Sequence, residues 1–282
     1  MAYVRRLGFV AFLLLLPFST LFGFEVTGLS TPESFIVDPE SGNYFISNIN
    51  GAPTDKDNNG FITKLDPNGK IIALKFIDSS KGGPLHAPKG LAIVGKALYV
   101  TDIDHIKLYD KTTGAQIGGL DPDGASFLND LTADGKGNLY VSDMMSNFIG
   151  KIDTKQNHKF SIVVRGPQLG QPNGLNIHPK TNRLVMVGWE SGKVVEISPE
   201  GELKPLIDQT FKNLDGVDFD SAGNLYFSSF TGGKIYKATL DGKVTVFQEN
   251  LKTPADINID KKKNLLLVPS FEGNWAKTIP LK

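Results

Sequence analysis

Residues 215–247 read DGVDFDSAGNLYFSSFTGGKIYKATLDGKVTVF, and this stretch decides the fold. It opens on the apolar run Gly216-Val217-Asp218-Phe219, turns through Asp220-Ser221-Ala222-Gly223-Asn224 and returns as Leu225-Tyr226-Phe227-Ser228. The Asp and Gly residues of that turn supply the backbone angles a hairpin needs. A third run, Ile235-Tyr236-Lys237-Ala238, alternates apolar and polar residues. After Leu240-Asp241-Gly242 a fourth run, Val244-Thr245-Val246-Phe247, completes the unit.

The unit recurs six times, with starts at Glu33, Lys89, Asn129, Asn173, Asp215 and Ala255. Its second strand returns as Tyr44-Phe45-Ile46-Ser47, Leu98-Tyr99-Val100-Thr101, Leu139-Tyr140-Val141-Ser142, Leu184-Val185-Met186-Val187 and Leu265-Leu266-Leu267-Val268. Four antiparallel strands at a period of about forty residues are the blades of a propeller, so the sequence predicts an all-β, six-bladed β-propeller. A sandwich lacks this internal period, and no stretch has the helical periodicity of a solenoid. The last unit stops after its third strand, at Ile279-Pro280-Leu281-Lys282. Phe24-Glu25-Val26-Thr27 is expected to supply the missing outer strand, since a ring closed from both chain ends leaves no unpaired edge. Residues 24–282 then form a single domain.

The N-terminus has another character. Arg5 and Arg6 precede an apolar stretch from Leu7 to Phe18, followed by Ser19, Thr20 and Gly23. This is the layout of a secretory signal peptide over residues 1–23, with the mature chain beginning near Phe24. The alternative is an uncleaved anchor, which is disfavoured by the shortness of the stretch and by Pro17 within it. The 282 residues include no cysteine, hence no disulfide and no lipoprotein attachment point. A periplasmic or secreted protein is expected. Thirty basic residues balance thirty acidic ones, and the longest basic run is Lys261-Lys262-Lys263 in a turn. This argues against nucleic acid as a partner and against membrane insertion of the mature chain. We expect a monomer.

In a propeller the first strand of each blade lines the central channel, so the six unit starts face one another around an axis. Glu33, Asn129, Asn173 and Asp215 bring oxygen donors from four blades to that register. Carboxylates and amide carbonyls suit a hard divalent cation, calcium above all, and no Cys or His stands there to favour a softer metal. Asn and Asp are also common turn residues, which gives each position singly a conformational explanation. Glu33 has none, and a buried carboxylate needs a partner.

Pro32-Glu33, Leu128-Asn129-Asp130, Pro172-Asn173-Gly174-Leu175 and Leu214-Asp215-Gly216-Val217 resemble, in type and order, the anchors of the gluconolactonase, senescence-marker-protein and luciferin-regenerating-enzyme family. Paraoxonase and diisopropyl-fluorophosphatase are its more distant relatives. The resemblance spans most of the mature chain. It implies Glu33, Asn129, Asn173 and Asp215 as ligands of a divalent cation, Ca²⁺ with Zn²⁺ or Mn²⁺ as alternatives. It also implies a hydrolase acting on a small-molecule lactone or ester, with Asp215 as general base toward water or as direct nucleophile. An exported propeller that binds a protein or small ligand without catalysis is the alternative function, because this fold hosts many activities. Where the family's sugar-lactone hydrolases commonly carry an Arg, this chain has Ser126-Phe127-Leu128, so hydrolase chemistry is expected more firmly than a sugar lactone.

Three further features bear on the site. Trp189-Glu190-Ser191, Met144-Met145-Ser146 and Phe271-Glu272-Gly273 fall between second and third strands on the side of the four donors, as candidates for an apolar pocket wall. Asp55-Lys56-Asp57-Asn58-Asn59-Gly60, with Asp66 downstream, begins like a calcium loop but also reads as an exposed Asp/Asn turn. His86 and His105 are expected to be ordinary loop or surface residues.

Overall fold

The computed structural model describes residues 23–281. Apart from Gly23, the signal segment lies outside them. Six four-stranded antiparallel sheets follow one another along the chain, and in blades one to five the spatial order of strands is their order in sequence. The inner strands are Pro32–Val37, Pro88–Val94, Leu128–Ala133, Pro172–Ile177, Leu214–Phe219 and Asn258–Asp260. The second strands are Tyr44–Asn48, Ala97–Asp102, Asn138–Asp143, Leu184–Gly188, Leu225–Ser229 and Leu265–Ser270.

Each sheet is packed between two others, so its second strand is buried on both faces. That is why Tyr44-Phe45-Ile46 and Leu265-Leu266-Leu267-Val268 are unbroken apolar runs. Among the described residues six hydrophobic clusters lie one at each junction between successive blades, and a smaller seventh gathers Ile49, Ala87 and Ile103. Outer strands such as Ile71–Ile77 are largely exposed.

Blade six is closed by the chain's other end. Glu25–Thr27 pairs antiparallel with Trp275–Pro280, with Val26 opposite Ala276. Just before it, the Phe24 N–H donates to Thr278 Oγ1 at 2.8 Å and the Thr278 N–H donates to the Phe24 carbonyl at 2.8 Å. The Phe24 ring sits 5.3 Å from that of Tyr44 in blade one, whose hydroxyl donates to Asp260 of blade six at 2.8 Å. At the axis the junction is completed by the Asp256 N–H, which donates to the Glu33 carbonyl at 2.9 Å.

Candidate active site at the channel mouth

Five inner strands carry the same irregularity at the same place. In blade one Pro32 faces Asn48 and Phe35 faces Ile46, so Glu33 and Ser34 together oppose Ser47 alone. The same two-against-one bulge holds Lys89-Gly90, Asn129-Asp130, Asn173-Gly174 and Asp215-Gly216. A bulge bends its strand and re-aims its side chains. Here it re-aims the residue at the unit start in every one of these blades. Glycine is required at Gly174, where an added Cβ would come within 2.2 Å of the Asp215 carbonyl oxygen of the next blade.

The residue opposite the bulge is Ser47, Thr101, Ser142 or Ser228 in four of the five blades, and its hydroxyl serves the main chain the bulge leaves unpaired. Ser47 accepts the Ser34 N–H at 2.8 Å. Ser142 accepts the Asp130 N–H at 3.0 Å and donates to the Asn173 carbonyl of the next blade at 2.7 Å. Thr101 donates to the Asn129 carbonyl at 2.6 Å.

Glu33, Asn129, Asn173 and Asp215 all line one pocket of ≈ 260 Å³ at the channel mouth. They are only 4%, 5%, 1% and 5% exposed. Each keeps one buried oxygen without a hydrogen-bond partner: Glu33 Oε2, Asn129 Oδ1, Asn173 Oδ1 and Asp215 Oδ1. Buried polar atoms are almost always paired, so four orphan acceptors in one pocket call for a cationic or donor guest. Two of the four are amides. Consistently, no group of three or more His, Cys, Asp and Glu side chains suited to a metal ion occurs among the described residues.

The electrostatics point the same way. Burial, and then the charges of Asp215, Asp256 and Asp130, hold the Glu33 carboxyl well above the usual carboxylate range, with Lys89 opposing. Burial and then Asp256 do the same to Asp215. Below the mouth, Asp130 accepts the Leu131 and Leu175 N–H groups at 2.6 Å each, Asp218 accepts those of Phe219 and Ile259, and Asp256 accepts the Ser34 hydroxyl at 2.5 Å. These three carboxylates fasten neighbouring blades. Burial also raises Asp256, to about 7. The site therefore gathers carboxyls in a dry place where burial favours their neutral forms until a positive charge offsets them.

Lys89 is the residue that the sequence reading passed over. It occupies the blade-two unit start, is 1% exposed, donates to the Ala87 carbonyl at 3.0 Å and lies 4.5 Å from the Phe127 ring centre. Burial pushes its ammonium down to about 8 against the pull of Glu33. Its register was visible in the sequence, but lysine is no ligand for a cation and drew no attention there.

Trp189, Met144 and Phe271 do line the pocket, together with Ile49, Pro53, Phe127 and Phe230. Met145, by contrast, is exposed. A single register explains most of this wall. The residue directly after the second strand is Ile49, Ile103, Met144, Trp189, Phe230 or Phe271, apolar in all six blades. In four of them, all but Ile103 and Phe271, the N–H of that residue donates to the carbonyl just before the inner strand, as from Trp189 to Gln171 at 2.9 Å and from Phe230 to Asn213 at 2.9 Å, while Phe271 donates to the Thr253 carbonyl at 3.0 Å.

The remaining candidates stand apart from the pocket. His86 Nδ1 accepts the Asn58 N–H at 3.0 Å, and exposed His105 is held between Asp104 and Asp121. In the blade-one loop Asp57 binds Asn59, and Asn58 Oδ1 accepts the Leu85 N–H. Asp66 follows the far end of the strand Phe61–Leu65 and accepts the N–H groups of Asn68 and Lys70 in a turn of its own. It cannot close a loop that begins at Asp55.

A family model described as the SMP-30/Gluconolactonase/LRE-like region matches residues 32–259. No curated protein matches the sequence significantly. Among solved structures, a catalytically inactive virginiamycin B lyase from Staphylococcus aureus, bound to quinupristin, is 16% identical with a TM-score of 0.64. The match covers 93% of this chain and 99% of that one. A candidate gluconolactonase is 14% identical with a TM-score of 0.70, over 92% and 91% of the two chains. A Bacteroides thetaiotaomicron protein of unknown function is 15% identical with a TM-score of 0.67, over 90% and 71%. At such identities these structures share the fold.

Proposed function

The chain belongs to the SMP-30/gluconolactonase/LRE-like family, and from that premise we propose that it is a divalent-cation-dependent hydrolase of lactones or related esters. One observation carries the reading: four oxygen donors from four blades present four buried, unpartnered oxygens to one pocket. Glu33, Asn129, Asn173 and Asp215 would hold the cation. Two carboxylates offset its double charge, and an all-oxygen set suits calcium ahead of zinc or manganese. Bound there, it supplies Lewis acidity toward the substrate's carbonyl or phosphoryl oxygen.

The chain's own groups do the rest. Asp215 would take a proton from water as the water oxygen bonds to the acyl carbon, and return it to the leaving oxygen as the ester C–O bond breaks. Alternatively its carboxylate bonds to that carbon as the C–O bond breaks, the leaving oxygen takes a proton from water, and the hydroxide left behind cleaves the acyl-enzyme anhydride to the free acid. The apolar wall keeps bulk water from the reacting bond. Lys89 fixes a positive charge beside Glu33. In this reading the enzyme is exported by its N-terminal leader and acts as a monomer.

The test is metal analysis of the purified protein before and after chelation, with a panel of lactones, aryl esters and phosphotriesters. Bound cation and cation-dependent turnover are expected. Asp215→Asn should lower turnover by about 100- to 10,000-fold with the circular dichroism spectrum unchanged. An unchanged rate would sink the assignment of Asp215, and absence of both cation and turnover would leave a binding propeller.

A further inference from the structure

The pocket has a polar floor and a carbon wall. Above the four donors the surface is made by Ile49, Phe127, Met144, Trp189, Phe230 and Phe271. The Trp189 indole N–H is the one strong hydrogen-bonding group those six side chains carry. The aromatic members are not scattered. Trp189 and Phe230 lie 5.3 Å apart between ring centres, and Phe230 and Phe271 lie 5.5 Å apart, which makes one continuous arc over blades four to six. Ile49 extends the wall into blade one, where it clusters with Ala87 and Ile103 and Phe271 packs against them.

From this wall we infer that the substrate is a small lactone or ester with an apolar aryl or alkyl body, and that polyhydroxylated sugar lactones are discriminated against. The inference rests on the hydrolase reading above. A sugar lactone would bury several hydroxyls against carbon, losing water and gaining no partner, at roughly tenfold or more in binding for each. An aromatic ring meets the arc edge-on or offset and gains at several contacts together. The cavity of ≈ 260 Å³ falls just under the roughly 300–1,000 Å³ of drug-sized sites, which sets the body at about one fused ring pair or a short alkyl chain. The ester group is then left for the floor. Phe127, whose ring lies beneath the Lys89 ammonium, marks the border between the two.

The experiment compares dihydrocoumarin, γ-nonalactone and glucono-δ-lactone as substrates of the full mature chain in calcium. Calorimetric binding of 3,4-dihydro-2-quinolinone, the hydrolysis-resistant lactam analogue of dihydrocoumarin, runs alongside. We expect kcat/KM for dihydrocoumarin to exceed that for glucono-δ-lactone by about 100-fold or more. Phe230→Ala should lower the dihydrocoumarin value by about 10- to 200-fold, mainly through KM, with calcium affinity unchanged. Phe230→Leu should recover part of the loss, separating the wall's apolar character from a packing defect. Equal or better use of glucono-δ-lactone overturns the inference, as does a Phe230→Ala variant that loses both substrates equally. If no lactone is turned over but the lactam binds wild type and not Phe230→Ala, the hydrolase reading falls and the apolar specificity of the pocket stands. Neither turnover nor lactam binding overturns both.

Discussion

Ser228 shows how one hydroxyl keeps two blades in register. It accepts the Gly216 N–H at 2.8 Å and donates to the Ala255 carbonyl of the next blade at 2.8 Å, all of it buried. Ser142 makes the equivalent tie to Asn173, one of the four donors. Removing either hydroxyl leaves a buried N–H and a buried carbonyl without partners. Ser228→Ala and Ser142→Ala are each expected to lower the unfolding free energy by about 2 kcal/mol in urea titrations. Ser221→Ala, in an exposed turn, should stay within about 0.5 kcal/mol of wild type. Ser142→Ala should also weaken cation binding, since it frees the Asn173 main chain; cation affinity equal to that of wild type would rule this out. The donors were legible in the sequence because a register compares like positions across blades. The hydroxyls were read only as strand ends, because a bulge changes which residues face each other without disturbing the apolar pattern that periodicity detects.

At the scale of the element, the strand Glu25–Thr27 was legible because the sixth unit lacked one strand and residues 24–27 offered one. The apolar ring was only half legible. Trp189, Met144 and Phe271 could be seen as loop residues, but recognising Ile49 and Phe230 as their equivalents needs each second strand's last residue, and strand ends are the least certain part of any sequence reading. The closing strand has an energetic consequence. Phe24 packs against Phe35 and Tyr44, so it joins blade six to blade one by side chain as well as main chain. Phe24→Ala is expected to cost about 2 to 3 kcal/mol, below the range for a fully buried Phe because the ring is partly exposed. A chain starting at residue 28 should lose more and expose Trp275–Pro280 as a free edge. Size-exclusion chromatography should then show concentration-dependent association absent from the chain starting at Phe24. A truncated chain that stays monomeric with unchanged thermal stability would show that closure contributes nothing.

For the whole molecule, the axial carboxyls couple stability to pH, and a cation held at the proposed site would couple it to cation concentration as well. Glu33, Asp130, Asp215, Asp218 and Asp256 share the axis with one buried ammonium, Lys89, and burial is the first cause raising all five carboxylates. A carboxylate whose folded pKa lies above its unfolded one favours folding while protonated. Its contribution is full below about pH 4 and is lost as pH rises through the folded value, about 7 for Asp256. Lys89, lowered to about 8, acts oppositely, its cost being relieved only as pH rises beyond that value. Between about pH 5 and 8 the carboxylates dominate, so the chelated protein should unfold at progressively lower temperature as pH is raised across that window. Most proteins are most stable within it. A cation that binds only the folded state adds RT ln(1 + [L]/Kd), about 2.7 kcal/mol at a hundred times Kd, or roughly 5 to 10 °C for a domain of this size. Its binding requires the ionised carboxylates, so the gain should be largest at the alkaline end and should flatten the profile. Thermal unfolding in EDTA and in calcium at four pH values measures both slopes. A flat profile in EDTA would show that the axial carboxylates are already neutralised from within the chain. The same slope in both buffers would show that the cation does not bind at this axis.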